Sequence, residues 1–425
     1  MDFLQRLARA LDRPLFPWKK LIIGFSVGQY LLETFLTFRQ YRVLQKTSPP
    51  AVLAKEVSRE TFDKSQDYNR AKSAFGVLSG LYGQLTNLAF IQFDVLPKLW
   101  SLTGDLLLQY APARFTGEIS HSIVFVLSFM VIQQLISLPT QLYSTFVLEE
   151  KFGFNKQTLS LFVSDFVKTN VLTFVLAPPI LAGFLKIIQK TGTSFVTYIW
   201  AFMAGLQLFM ITAYPIFILP LFNKLSPLEP GELKTEVEKL AAGFKFPLHE
   251  LYVIDGSKRS AHSNAYFYGL PWKKHIVIYD TLLEKSDTKE VVAVLAHELG
   301  HWKLGHTTSL FYISQAHILY IFSLFSIFIN NNSLYSAFGF HNEHPIIIGF
   351  LLFSDALSPS TPSSLIKLHT QNLSTMDADW MYASYHFSHP HLTERLKALD
   401  WKGEKPVTSE KDKEEVVKAS GRDEL

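Results

Sequence analysis

Two histidines four residues apart, His297 and His301, flank Glu298 in the stretch His297-Glu298-Leu299-Gly300-His301. On a helix, positions i and i+4 share a face, so both imidazoles can offer a ring nitrogen to one ion. Glu298, one step round, then lies beside a water on that ion and can take its proton as general base, while zinc lowers the water's pKa. The result is a nucleophile aimed at a carbonyl, and peptide-bond hydrolysis is the reaction most often built this way. A chain with 14 His would carry such a match by chance on the order of a few times in a hundred, so the motif needs its context. The chain has no cysteine, which excludes disulfides, thiolate nucleophiles and Cys-ligated metal; any ion must be held by His and carboxylates. His306, five residues past His301, falls on a different helical face and reads as structural.

The elements around the motif supply that context. From Thr288 the apolar positions Val291, Val292, Leu295, Leu299 and Trp302 recur at helical spacing and stop near Gly305, which predicts a helix carrying both histidines. Leu251 to Ile254 and His275 to Tyr279 read as short β-branched strands. A strand followed by a His-bearing helix is the arrangement of a zincin, in which an edge strand pairs with the peptide substrate, and His275 to Tyr279 is the strand placed for that role.

The rest of the chain suits lipid. Of 425 residues, 48% are hydrophobic and 14% aromatic, with 36 Phe, against only 18% charged, where a soluble domain has about 25%. Runs long and apolar enough to span a bilayer are Leu21 to Phe38, Ile123 to Leu142, Val171 to Ile188, Phe195 to Phe222 and Ser309 to Ile329. Ala74 to Trp100 is a further span interrupted by Gln84, Asn87 and Asp94, and Pro345 to Phe353 is a seventh that is too short as written. Polar residues inside spans, such as Glu33, Gln133 and Gln134, face a bundle interior, a cavity or a neighbouring helix. No cleavable leader is evident before the first span. A net charge of +3 with scattered basic residues sets nucleic acid aside as a partner.

Sidedness follows from the positive-inside rule. The loop after the first span collects Arg39, Arg42, Lys46, Lys55, Arg59, Lys64, Arg70 and Lys72, whereas the loop after the second holds little beyond Arg114. Alternation puts Asn223 to His306 in the cytosol, and the loop Asn330 to His344, without Lys or Arg, agrees. Arg6, Arg9, Arg13, Lys19 and Lys20 before the first span disagree. Asn331-Asn332-Ser333 is a glycosylation-type triplet in the loop so placed in the lumen. The end, Arg422-Asp423-Glu424-Leu425, is one residue from a retention signal that is read only on the lumenal side.

Four stretches together resemble the type I CAAX prenyl endopeptidases, integral-membrane zinc metalloproteases of the endoplasmic reticulum. They are Glu149-Glu150-Lys151-Phe152-Gly153-Phe154-Asn155, Ser263-Asn264-Ala265-Tyr266-Phe267-Tyr268-Gly269, Ala296-His297-Glu298-Leu299-Gly300-His301-Trp302, and Ser388-His389-Pro390 with Glu394-Arg395-Leu396. The resemblance covers nearly the whole chain. It implies an all-α multi-pass protein in the endoplasmic reticulum membrane, with about seven spans enclosing a chamber and a small zincin-like α+β catalytic region. It implies Zn2+ as cofactor, membrane lipids as surroundings and prenylated CaaX proteins as substrates, from which the C-terminal tripeptide is removed; in a fungus these would include a mating-pheromone precursor. It also implies that Asn264 binds substrate backbone and that His389 and Arg395 contact the substrate or the reacting carbonyl. Taken alone, Asn264 would be a turn residue, His389 a capping or packing residue before Pro390, and Arg395 a solvated helix charge.

The domain reading is 1–222 for a membrane region with five spans, 223–306 for the catalytic region, 307–357 for spans six and seven, 358–400 for a substrate-site segment and 401–425 for a charged tail. In the family the third zinc ligand is a Glu after span seven, in a run of the form Glu-x-x-Ala-Asp. This sequence has no such run: after Ser354-Asp355 it passes through Ser358-Pro359-Ser360-Thr361-Pro362-Ser363-Ser364 and rejoins family-like sequence near Leu365. A Ser/Pro/Thr run has loop composition and does not replace a helix, so the resemblance implies that several tens of residues of the family pattern are missing near 355–365. If the seventh span fails, the tail with His389 and Arg395 would stay in the lumen. Asp355, Asp377, Asp379, Glu343 and Glu394 are conceivable stand-in ligands without a helical partner to place them. A catalytically impaired scaffold of the same fold, or a broader membrane peptidase, stays open on the residues alone; a transporter lacks the inverted repeats it would need.

Overall fold

In a computed structural model of the chain, residues 2–55, 57–357, 375–387 and 392–398 are described. Among them, six helices are long and apolar enough to cross a membrane: α1 Trp18–Val43, α2 Arg59–Gln92, α3 Glu118–Glu149, α4 Leu159–Thr191, α5 Phe195–Phe222 and, after the catalytic region, α8 His306–Phe328. Their outer faces are apolar and exposed, as at Leu78, Val175 and Phe209 (65%, 62% and 60% exposed). In water that surface would be costly; against hydrocarbon it is the stable arrangement.

The span expected over Ala74 to Trp100 is two helices. α2 ends at Gln92, the backbone turns at Asp94 in the left-handed region (φ 52°), and a separate helix runs over Val95–Tyr110. Of the three interrupting polar residues, Gln84 and Asn87 lie within α2 and Asp94 at the break. Asn87 Nδ2 donates to Ser26 Oγ, which donates in turn to Gln84 Oε1, each at 3.0 Å, so these two bridge α2 to α1. Asp94 accepts from Lys19 Nζ at 2.5 Å where the helix stops. Gln133 lines a cavity of about 380 Å3 between α2 and α3, together with Asn87, Thr86 and Thr140. Where the seventh span was expected there is α9, Ile346–Leu357, whose 12 residues reach only about 18 Å of a hydrocarbon core about 30 Å thick.

The catalytic region comprises β1 Leu225–Pro227, α6 Glu232–Phe244, β2 Leu248–Ile254, β3 Ala265–Leu270, β4 Lys273–Tyr279 and α7 Thr288–Lys303. Its sheet has the order β1-β2-β4-β3, with β2 and β4 parallel and the outer pairs antiparallel. His275 to Tyr279 is therefore internal, not the edge strand it was expected to be. Ile276, Val277 and Ile278 are all buried, and a strand covered on both faces and both sides needs an unbroken apolar run. The exposed edge beside α7 is β3, which begins immediately after Asn264.

The glycosylation-type triplet is a structural cap. Asn331 is 1% exposed, and its Oδ1 accepts from the Leu334 amide at 2.8 Å and from Ser333 Oγ at 2.9 Å. A glycan has no access there.

Contacts divide the chain into two compact units, residues 1–35 with 74–363 and residues 36–73 with 364–425. In the second, the end of α1 and the start of α2 hold the tail. Arg39 makes a two-pronged ion pair with Asp379, both distances 2.8 Å. Lys46 Nζ reaches Asp377 at 2.6 Å, Gln40 bonds the backbone of both aspartates, and Met376 is buried against Leu53 and Phe62. The tail thus lies with the basic loop after the first span. Helix α10, Trp380–His386, is capped by Asp379, and α11 spans Leu392–Ala398.

Candidate active site

Helix α7 is set by its ends and by one face. Asp287 caps its N-terminus in a reciprocal capping box with Glu290, and Val291, Leu295 and Leu299, four residues apart, are buried against the rest of the catalytic region. That register puts Glu298 on the buried side at 5% exposure and turns His297 and His301 toward one another. Their Nε2 atoms are 3.1 Å apart and their rings edge to face. Two nitrogens each about 2.0–2.1 Å from a tetrahedral zinc stand roughly 3.3 Å apart, so the pair fits one ion. Among the described residues no group of three or more His, Cys, Asp or Glu could hold a metal. Three of the five conceivable stand-ins are engaged elsewhere: Glu343 accepts from Trp100 Nε1 at 3.0 Å, and Asp377 and Asp379 hold Lys46 and Arg39; the Asp355 side chain falls outside the described residues.

His306 is not turned away from the site. Helix α7 stops at Lys303, Gly305 takes the left-handed conformation (φ 69°), and α8 begins at His306. The break returns His306 to the motif, with its Nδ1 2.7 Å from His301 Nδ1.

Asn264 ends a loop, 256–264, that is fixed on two sides. On one, the segment 149–157 grips it: Ala261 N donates to Phe154 O and Lys156 N to Arg259 O. His262 stacks on Phe154 with its Nε2 3.3 Å from Glu149 Oε2. Arg259 forks onto Asp165 of α4 at 2.8 and 2.9 Å and caps the end of α5 through Phe222 O. On the other side, Ser263 Oγ donates to Thr281 O, Thr281 Oγ1 donates to His262 O, and Asp280 receives Ser257. The Glu149 to Asn155 stretch therefore serves as a brace for the strand that follows Asn264. Asn264 itself accepts from the Ala265 amide through Oδ1 at 2.8 Å and from the Tyr279 amide through its backbone oxygen. Behind the edge, burial pushes the phenols of Tyr266, Tyr268 and Tyr279 above their ordinary range, so they remain neutral.

Of the other expected substrate contacts, Arg395 lies half-buried on α11 in the second unit, where burial lowers its guanidinium pKa from the ordinary value. His389 falls outside the described residues.

Comparison with known proteins follows the same lines. Residues 40–224 match the CAAX prenyl protease N-terminal family, described as five membrane helices, and residues 227–402 match peptidase family M48. CAAX prenyl protease 1 of Saccharomyces cerevisiae is 43% identical over 447 residues, covering 94% of this chain and 99% of that protein. The CAAX prenyl protease 1 homolog of Homo sapiens is 38% identical over 457 residues, covering 90% and 96%. The crystal structure of S. mikatae Ste24p superposes with a TM-score of 0.85 at 42% identity, covering 91% of this chain and 100% of that one. Both sequence alignments are longer than the 425 residues of this chain, so the chain lacks residues that these relatives have.

Proposed function

The chain belongs to the CAAX prenyl protease branch of peptidase family M48, and from that premise we propose that it removes the C-terminal tripeptide of prenylated CaaX proteins, with His297 and His301 as zinc ligands and Glu298 as general base. The observation that carries the reading is the convergence of two Nε2 atoms at 3.1 Å beside a buried carboxylate. Zinc held there supplies Lewis acidity toward the scissile carbonyl and toward water. Glu298 accepts the proton of the attacking water and delivers it to the departing amine. The substrate backbone adds to the free edge of β3, where main-chain hydrogen bonds fix its register, and the Asn264 side-chain amide donates to a substrate carbonyl at the strand's start. His389 and Arg395 contact the substrate, a role supported by the motifs in which they stand. Residues 223–306 face the cytosol from the endoplasmic reticulum membrane, in keeping with the loop charges.

A farnesylated CaaX peptide incubated with the purified chain tests this. Glu298→Gln is expected to keep its metal and lose about 100- to 10,000-fold in cleavage rate, and the same peptide without its lipid is expected to be cleaved poorly. Equal cleavage by wild type and Glu298→Gln would sink the mechanism; equal cleavage of lipidated and bare peptide would instead make this a broad membrane peptidase.

A further inference from the structure

The contact of His306 with His301 has a direction that the chemistry of imidazole supplies. A neutral imidazole carries one N–H and one lone pair. With His301 Nε2 facing His297 Nε2 at 3.1 Å, its lone pair is on the ligand side and its proton belongs on Nδ1. The atom across from that Nδ1, at 2.7 Å, is Nδ1 of His306, which accepts the bond when its own proton sits on Nε2. We infer that His306 is the outer partner of the metal site, a positioning residue that fixes the tautomer and ring orientation of His301. This rests on the reading of His297 and His301 as ligands.

The local backbone is built for the contact. In an unbroken helix, position 306 would lie about 140° round the axis from 301, out of reach. Closing the last turn of α7 through Leu304 N to Gly300 O and Gly305 N to Trp302 O, then reversing at the left-handed Gly305, brings His306 back over the motif. The rings sit 5.0 Å apart between centroids at 54°, a relation in which each presents an edge nitrogen to the other. An outer partner on a metal-binding imidazole sets ligand basicity and aim, and its loss weakens metal binding about 10- to 100-fold. Here the partner comes from the first residue of a spanning helix, so the metal site and α8 are mechanically joined.

The test is zinc affinity of the purified full-length chain, measured by competition with a chromogenic chelator and needing no turnover. Wild type is compared with His306→Ala, His306→Asn and, as a ligand control, His297→Ala. The expected result is a 10- to 100-fold loss for His306→Ala and recovery of most of it by His306→Asn, whose side-chain oxygen can accept where Nδ1 did. If His306→Ala binds zinc as wild type does while His297→Ala does not, the outer-partner role is overturned and the ligand assignment stands. Equal loss in His306→Ala and His306→Asn also overturns it, since that is the pattern of lost packing. If His297→Ala binds zinc as tightly as wild type, the ligand reading itself falls.

Discussion

At the level of single residues, the site combines groups whose roles separate cleanly by substitution. Asn264 has two jobs: its Oδ1 ties down the Ala265 amide, and its amide nitrogen is the proposed donor to substrate. Asn264→Asp keeps the acceptor and removes the donor, so it isolates the second job. One hydrogen bond is worth roughly 0.5–1.5 kcal/mol, and Asn264→Asp is expected to raise KM several-fold with the protein still folded and its zinc affinity unchanged; unaltered steady-state kinetics would refute the donor role. That His297 and His301 meet on one helix face beside Glu298 was legible in the sequence because spacing on a helix is fixed by its pitch. His306 was not, because spacing arguments assume that the helix continues, and here a left-handed glycine breaks it one residue earlier.

Among the elements, the brace made by residues 149–157 and the loop 256–264 joins the end of a membrane helix to the strand that follows Asn264. The bidentate pair Arg259–Asp165, with side chains 22% and 17% exposed, anchors that loop to α4, so the edge strand is aimed by the membrane helices. The far end of the same strand is set by Gly269, at φ 111° with the Lys273 carbonyl 2.3 Å from where a Cβ would stand. Gly269→Ala must distort the β3–β4 hairpin and is expected to destabilise the protein by about 1–3 kcal/mol, seen as a lower midpoint of heat-induced aggregation in detergent; an unchanged midpoint would show that the hairpin adapts without strain. The order of the strands was only half legible. His275 to Tyr279 is marked as a strand by its β-branched residues, but which strand lies at the edge depends on the pairing of β3 with β4, and pairing is set by contacts across the sheet rather than by the composition of one strand. The spans were legible by length and apolarity, yet the break falls at Asp94 in the left-handed region, a backbone turn that neither length nor apolarity marks.

For the molecule as a whole, the decisive region is the junction between α9 and the tail. The tail is held to the basic loop by charge: the Arg39 fork keeps the Asp379 carboxyl below its ordinary range. A depressed carboxylate stabilises the fold fully above its unfolded value of about 3.9, and that contribution is lost as pH falls through the lower folded value. Protease sensitivity of the tail is therefore expected to rise as pH drops below about 4, and Asp379→Asn is expected to show that sensitivity already at neutral pH. A tail held to the basic loop, on the cytosolic side proposed from the loop charges, requires the chain to recross the membrane after α8, an odd number of spans, while α9 supplies about 18 Å of the roughly 30 Å needed. The same place lacks the third zinc ligand expected from the family, and the alignments to relatives exceed the length of this chain. One missing segment accounts for all three, because it would complete the seventh helix and carry the Glu-x-x-Ala-Asp run. The transcript is accordingly expected to hold an extra in-frame stretch between the codons for Asp355 and Leu365, and the chain translated from it to bind one zinc more tightly than the chain without it. A transcript that joins those codons as written, yielding a protein that nevertheless binds zinc tightly and cleaves prenylated peptide at full rate, would mean that a ligand from elsewhere closes the site.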